Sequence, residues 1–394
     1  MENAQRLQRI PPYPFREIAM LKAKMISEGN EPIDFGIGDP DMPTPQFVID
    51  ALCEAANDPA THPYDESGFG IDRFKQAIAD FSKRRFGIEV DTEGEIQSCL
   101  GGKEALAHII WAYIDPSDVV LVPDPAYAVY KVQTSWCGGA AFPMPLLAEN
   151  GFLPDLDAIP EAVRQQAKLL FLNYPNNPTG AVAPLEYYEE VVDFARRYEM
   201  LIVQDAAYAE VYFDAEDRPH SILEIEGARD LSIEIHSLSK TFNMTGWRVA
   251  WAMGGAEHVE ALSTAKSNVD SGTFMAVQHA AAAGLDSYED FAPQMQGEYR
   301  VRRDALVEGL QSLGCPIEKP RATFYVWVPV PDGYTSESFA TKLLGDCRVL
   351  AIPGSVYGAT GEGFVRMSLT IKGDDKPGLI EEAISNMREG GVGW

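Results

Sequence analysis

Short apolar runs alternate with helix-period segments from about residue 71 to 350, and this rhythm predicts an α/β fold with a largely parallel, buried sheet. Two further observations shape the prediction. The chain has 394 residues, more than one domain usually holds. Its C-terminal third also loses the steady strand-helix rhythm. We therefore expect a large domain over residues 46–295 and a smaller α+β domain from residues 1–45 and 296–394, with a ligand cleft between them.

The elements follow in chain order. The Pro-rich segment around Pro11–Pro14 is expected to join the C-terminal third. Ile71, Phe74, Ile78 and Phe81 recur at near-helical spacing before Gly87, and 103–114 reads as a helix that starts just after two glycines. Strands are expected at 119–122, 169–172, 201–204, 233–236 and 249–253. Polar residues follow several of these runs: Asp124 and Tyr127, Asn173 and Asn177, Asp205 and Tyr208, Ser237 and Lys240. Ligands of open parallel sheets sit beyond the carboxyl ends of the strands, so these residues should converge on one crevice. Further on, the pattern predicts a helix over 298–313 ending at Gly314, a strand at 323–330, a helix near 337–344, a strand at 365–369 and a closing helix over 376–387.

Composition narrows the function classes. A formal charge of −27 with pI near 4.5 repels nucleic acid and anionic membranes over most of the surface. Five scattered cysteines without a Cys-x-x-Cys pair fit a reducing compartment. The start Met1-Glu2-Asn3-Ala4 lacks the basic-then-apolar pattern of a leader, and no run approaches the ~20 apolar residues of a membrane helix. A cytoplasmic protein without nucleic-acid or membrane partners is expected. The six histidines lack i, i+4 spacing and no Asp cluster resembles a calcium loop, so no protein-held metal is expected.

The chemistry centres on Lys240, in Ser237-Leu238-Ser239-Lys240-Thr241 with Arg248 downstream. A lysine that forms a Schiff base must lose its proton, which desolvation and neighbouring cations favour, while Ser237, Ser239 and Arg248 can hold a phosphate dianion. Taken alone, the same lysine reads as a solvated surface charge. Asp205 closes the run Leu201-Ile202-Val203-Gln204 and reads either as a partner for a protonated ring nitrogen or as a helix N-cap. Tyr208 is a phenol donor or a core-edge tyrosine, and Asn177 is a donor or part of a tight Asn-Pro turn. Gly101-Gly102-Lys103 before a helix suits a phosphate cradle. By contrast, Gly36-Ile37-Gly38-Asp39-Pro40-Asp41 is no dinucleotide fingerprint, because Asp41 replaces its third glycine.

Together these segments resemble, in order and spacing, the fold-type I aminotransferases of class I and II, which depend on pyridoxal 5′-phosphate (PLP). The resemblance implies that Lys240 carries PLP as a Schiff base, that Asp205 pairs the pyridine nitrogen, and that Tyr208 and Asn177 bond the phenolate oxygen. It implies Tyr127 stacked on the ring. Gly101, Gly102, Lys103, Ser237, Ser239 and Arg248 would serve the phosphate, joined by Tyr64 from a second subunit of a homodimer. Arg366 would bind the substrate α-carboxylate, with Gly38 and Asn177 beside it. Within the family the chain is most similar to the LL-diaminopimelate aminotransferases, which implies that amino acid as donor and a 2-oxo acid such as 2-oxoglutarate as acceptor. Two stretches, His62–Gly70 and Arg348–Gly358, depart from that group's pattern where a distal side chain would be read. The alternative reading keeps the PLP machinery and redirects it to β- or γ-elimination, replacement or carbon–carbon bond formation. A third is a non-catalytic PLP or partner-binding protein.

Overall fold

The computed structural model describes residues 3–8 and 16–394, so the Pro11–Pro14 segment lies outside the described residues. Among the described residues the twelve strands are β1 (Ile33–Asp34), β2 (Ile96–Cys99), β3 (Val119–Asp124), β4 (Ala140–Pro145), β5 (Ala167–Asn173), β6 (Leu201–Asp205), β7 (Ser232–Ser237), β8 (Ala250–Gly254), β9 (Tyr325–Pro329), β10 (Val349–Leu350), β11 (Ile352–Pro353) and β12 (Phe364–Ser368). Seven form one sheet in the order β2-β8-β7-β6-β5-β3-β4. Its neighbours pair in parallel except at β8, which runs antiparallel to both β2 and β7.

Both faces of this sheet are covered, which is why its strands read as continuous apolar runs. Along β5, Leu170 and Leu172 enter one core, while Leu169 and Phe171 enter the other. The first core is completed by helices Asp72–Phe86, Leu185–Tyr198 and Met275–Asp286. The second is completed by Gly102–Tyr113, Val129–Cys137 and Ala256–Ser267. Each Leu or Phe so buried contributes roughly 1.5–3 kcal/mol, and these two cores fix the carboxyl ends of the parallel strands as a rigid rim.

A three-stranded antiparallel sheet, β11-β12-β9, packs with helices Ser336–Cys347 and Lys376–Glu389. Strand β1 pairs in parallel with β10 through Ile33↔Val349 and Asp34↔Leu350, so the N-terminal segment is stitched to the C-terminal third. The expected helix 298–313 begins ten residues earlier, because helix Tyr288–Ser312 runs through Pro293. Tyr288, Ala292 and Met295 are buried, and that packing offsets the hydrogen bond the proline forfeits. Among the described residues no helix is long and apolar enough to cross a membrane.

Candidate active site

Register places the polar rim. Asn173 pairs with Asp205 across β5 and β6, and Asp205 with Ile235 across β6 and β7, so three strands end side by side. Above them lies a cavity of about 710 Å³. It is lined by Gly38, Gly102, Lys103, Tyr127, Asn177, Asp205, Tyr208, Ser237, Ser239, Lys240, Arg248 and Arg366 among others. Gly101 does not line it but lies against the Arg248 side chain. Tyr64 does not line it: the side chain is 77% exposed.

Lys240 stands on the helix Leu238–Thr241 that leaves β7, where the Ser237 hydroxyl accepts from Ser239 N at 3.2 Å. Its Nζ donates to the Gly38 carbonyl at 3.0 Å. Burial pushes the ammonium down to about 8; Asp39 opposes the shift, and Arg366 and Arg248 reinforce it. An amine poised this near neutrality can act as nucleophile and as base.

Asp205 shows the capping half of its sequence reading, at a turn rather than a helix. One oxygen accepts from Ala207 N at 3.2 Å, as a turn cap does, and the other accepts from Tyr130 Oη at 2.7 Å. Burial raises its carboxyl above the ordinary value, against the lowering effect of those two bonds and of His236. A cation beside it would relieve that desolvation.

The phosphate-sized corner is built on glycine. Gly101 has φ 89°, and a Cβ there would come 2.3 Å from Arg248 Nη2. Its absence lets the guanidinium close over the start of helix Gly102–Tyr113, donating to Leu100 O at 3.2 Å and Thr245 O at 2.9 Å. Unpaired N–H groups of that helix, the hydroxyls of Ser237 and Ser239, and the Arg248 charge form one donor set. It fits the phosphate of PLP, with Lys240 and Asp205 spaced across the same cavity. Lys103 Nζ lies 5.6 Å over the Tyr127 ring.

The opposite side is assembled from distant parts of the chain. Arg366, on β12 and only 4% exposed, donates to Asn177 Oδ1 at 3.0 Å and to Gly36 O at 2.9 Å. Its guanidinium lies 4.1 Å from the Tyr325 ring and 4.9 Å from the Tyr357 ring. Tyr325 Oη is 2.9 Å from Tyr208 Oη and 3.4 Å from Gly38 O. A Cβ on Gly38 would fall 2.0 Å from Tyr325 Oη, so only glycine fits there. Of the two departing stretches, Arg348–Gly358 reaches the cavity through Leu350, Ile352, Val356 and Tyr357, and His62–Gly70 does not.

Sequence reasoning gave no role to Tyr130, Tyr325, Asp39, Lys22 or Asp34, of which all but Tyr130 line the cavity. Tyr325 is visible in Phe324-Tyr325-Val326-Trp327, yet a short strand does not declare which face meets the site. Tyr130 lies 75 residues from Asp205, with no local signal of their contact. Elsewhere, Glu104, His108 and Asp270 form the group of possible metal ligands found among the described residues, and Lys266 Nζ already stands there, 2.6 Å from Asp270 and 3.4 Å from Glu104.

Comparison with known proteins agrees with this geometry. The family model for aminotransferase class I and II matches residues 30–379. The LL-diaminopimelate aminotransferase of Syntrophobacter fumaroxidans is 49% identical over 387 residues, covering 98% of each chain. That of Desulforudis audaxviator is 50% identical over 379 residues, covering 96% of this chain and 95% of its own. Among solved structures, substrate-bound BacF from Bacillus subtilis superposes with a TM-score of 0.92 at 34% identity, covering 98% of this chain and 97% of its own. A match of this extent joins the lysine-bearing rim and the buried arginine in one assignment: the chain belongs to the class I and II aminotransferases of fold type I, and its cofactor is PLP.

Proposed function

We propose that this aminotransferase takes LL-diaminopimelate as amino donor and a 2-oxo acid such as 2-oxoglutarate as acceptor. The observation that carries the reading is the identity of 47–50% over nearly full length to proteins named for that donor. When bound, PLP supplies a carbonyl that captures amino groups and a ring that withdraws electron density from the substrate Cα. The chain's own residues do the rest. Lys240 Nζ, near neutrality and held at Gly38 O, takes the Cα proton and returns it. Asp205 would pair the ring nitrogen of the cofactor and keep it protonated. Tyr208 and Asn177 would serve the phenolate oxygen, and Tyr127 the ring. Gly101, Gly102, Lys103, Ser237, Ser239 and Arg248 would hold the phosphate. Arg366 grips the α-carboxylate by its planar fork, with Gly38 and Asn177 beside it.

The visible absorption of the PLP-loaded protein tests this. Adding LL-diaminopimelate should abolish the cofactor band and adding 2-oxoglutarate should restore it, with Lys240→Ala as control. A band that does not move rejects the donor. Product release without any oxo acid favours elimination or replacement instead.

The division into 46–295 and 1–45 with 296–394 belongs to the same proposal and is supported by the β1–β10 pairing. Limited proteolysis that leaves a resistant core within 46–295 is the expected result. So does a cytoplasmic homodimer whose sites each borrow Tyr64 from the neighbour, a role its 77% exposure suits. Mixing Tyr64→Phe with Lys240→Ala protein should then restore activity in hybrid dimers, and unaltered activity of Tyr64→Phe alone would reject the sharing.

A further inference from the structure

Five charged side chains of the cavity serve the proposed reaction: Lys103, Asp205, Lys240, Arg248 and Arg366. Lys22 and Asp34 line the same cavity and do not. Lys22 stands on helix Arg16–Ser27, and its Nζ lies 2.5 Å from Asp34 Oδ2 on β1. The other oxygen of Asp34 accepts from Gly36 N at 2.7 Å, and Gly36 O accepts from Arg366 Nη2 at 2.9 Å. Asp34 is therefore engaged at both oxygens. An ammonium carries three donors, and among the described residues Asp34 takes one of those of Lys22. The Lys22 side chain keeps 25% of its surface accessible.

The apolar wall beside it is equally specific. A Cβ on Gly36 would meet Leu350 Cδ2 at 2.5 Å and Ile352 Cδ1 at 2.9 Å, so these side chains close on the segment that carries Asp34 at the end of β1 and, two residues on, the Arg366 acceptor Gly36. A substrate held at Arg366 thus has aliphatic surface along its side chain and a cation one short backbone relay away. We propose that Lys22 receives a second, distal carboxylate, so that the cavity selects dicarboxylic amino and oxo acids, with Asp34 fixing the ammonium in place. The inference rests on the reading of Arg366 as the α-carboxylate receptor.

Inert acids separate the two ends of the site. Calorimetric titration of the PLP-loaded protein with adipate and with hexanoate compares a second carboxylate with a methyl group at similar chain length. Wild type should bind adipate more tightly. Lys22→Met should weaken adipate about tenfold or more, the scale of one charged hydrogen bond, and leave hexanoate within about twofold. Lys22→Arg should keep most of the preference. Equal losses for both acids would mean that Lys22 only ties its helix to β1, and unaltered adipate binding would also overturn the proposal. Turnover of LL-diaminopimelate is scored separately: a protein that prefers adipate through Lys22 but never transaminates that donor loses the donor assignment and keeps the distal site.

Discussion

The two sides of the cavity are built in different ways. On the cofactor side, Ser237, Ser239, Lys240 and Arg248 fall within one short stretch, and the rim beneath them is the ends of β5, β6 and β7 set by sheet register. On the carboxylate side the hydrogen bonds named above are long-range: Arg366 reaches Gly36 across 330 residues and Asn177 across 189, and Lys240 reaches Gly38 across 202. Under the proposed roles, reaction chemistry is local and held by a covered sheet, while substrate choice depends on how distant segments meet. Mutations should divide along the same line, with kcat falling on the first side and KM rising on the second.

The largest effect tests the first side. Lys240→Ala should lower kcat by at least about 10⁴-fold, because nucleophile and base are lost together, and the visible band of bound cofactor should change in the same sample. Asp205→Asn should follow at about 10²–10³-fold, as expected for losing a charge aimed at the reacting system. Both should leave the binding of an inert carboxylate nearly unchanged; if either weakens it as much as it lowers kcat, the two sides are not separable. On the second side, Arg366→Lys should raise KM for donor and acceptor alike by about 10²-fold, since an ammonium cannot reproduce the fork or the stack on Tyr325. Steady-state kinetics with both substrates decides this.

The same asymmetry governs what the sequence disclosed. The alternation of apolar runs gave the α/β class, and β3, β5, β6 and β7 extend the expected strands by a few residues at most. Asp205 and Lys240 stood out because Asp205 directly follows such a run and Lys240 stands just after another, on the short helix that leaves β7. Strands β2 and β4 passed unnamed: Ile96–Cys99 is short and includes buried Gln97 and Ser98, and Ala140–Pro145 is half-exposed and contains Pro143. Helix Tyr288–Ser312 begins ahead of its expected start and carries Pro293 inside it, held by the tertiary burial of Tyr288, Ala292 and Met295. Tyr130 and Lys22 escaped because their contacts, with Asp205 and Asp34, are ones that only folding supplies.

A smaller effect concerns pH on the cofactor side. Since Lys240 falls to about 8, the neutral amine of the PLP-free protein accumulates as pH rises through that value. The rate of PLP capture should therefore climb with pH to a plateau above about 8, as followed by stopped-flow absorbance. Removing the Arg366 charge should move the midpoint upward, since that cation contributes to the depression. A profile still rising steeply toward pH 10.5 would place Lys240 in a far more solvated setting than its contacts describe.

The smallest expected effect is the most discriminating, because Tyr325 belongs to both sides. Its hydroxyl meets Tyr208 at 2.9 Å and Gly38 O at 3.4 Å, while its ring lies beneath the Arg366 guanidinium at 4.1 Å. Tyr325→Phe removes the hydroxyl and keeps the face, so kcat should fall a few-fold, about the size of one neutral hydrogen bond, with KM unchanged. Tyr325→Leu also removes the face. KM should then rise by a further few-fold, in line with a cation–π contact of about 0.5–2 kcal/mol. Glutarate binding by calorimetry should fall in the Leu variant and not in the Phe variant. Equal losses in both variants would make Tyr325 a simple wedge between the sides. A split would make it the residue through which carboxylate binding is coupled to the phenol and the lysine that do the chemistry.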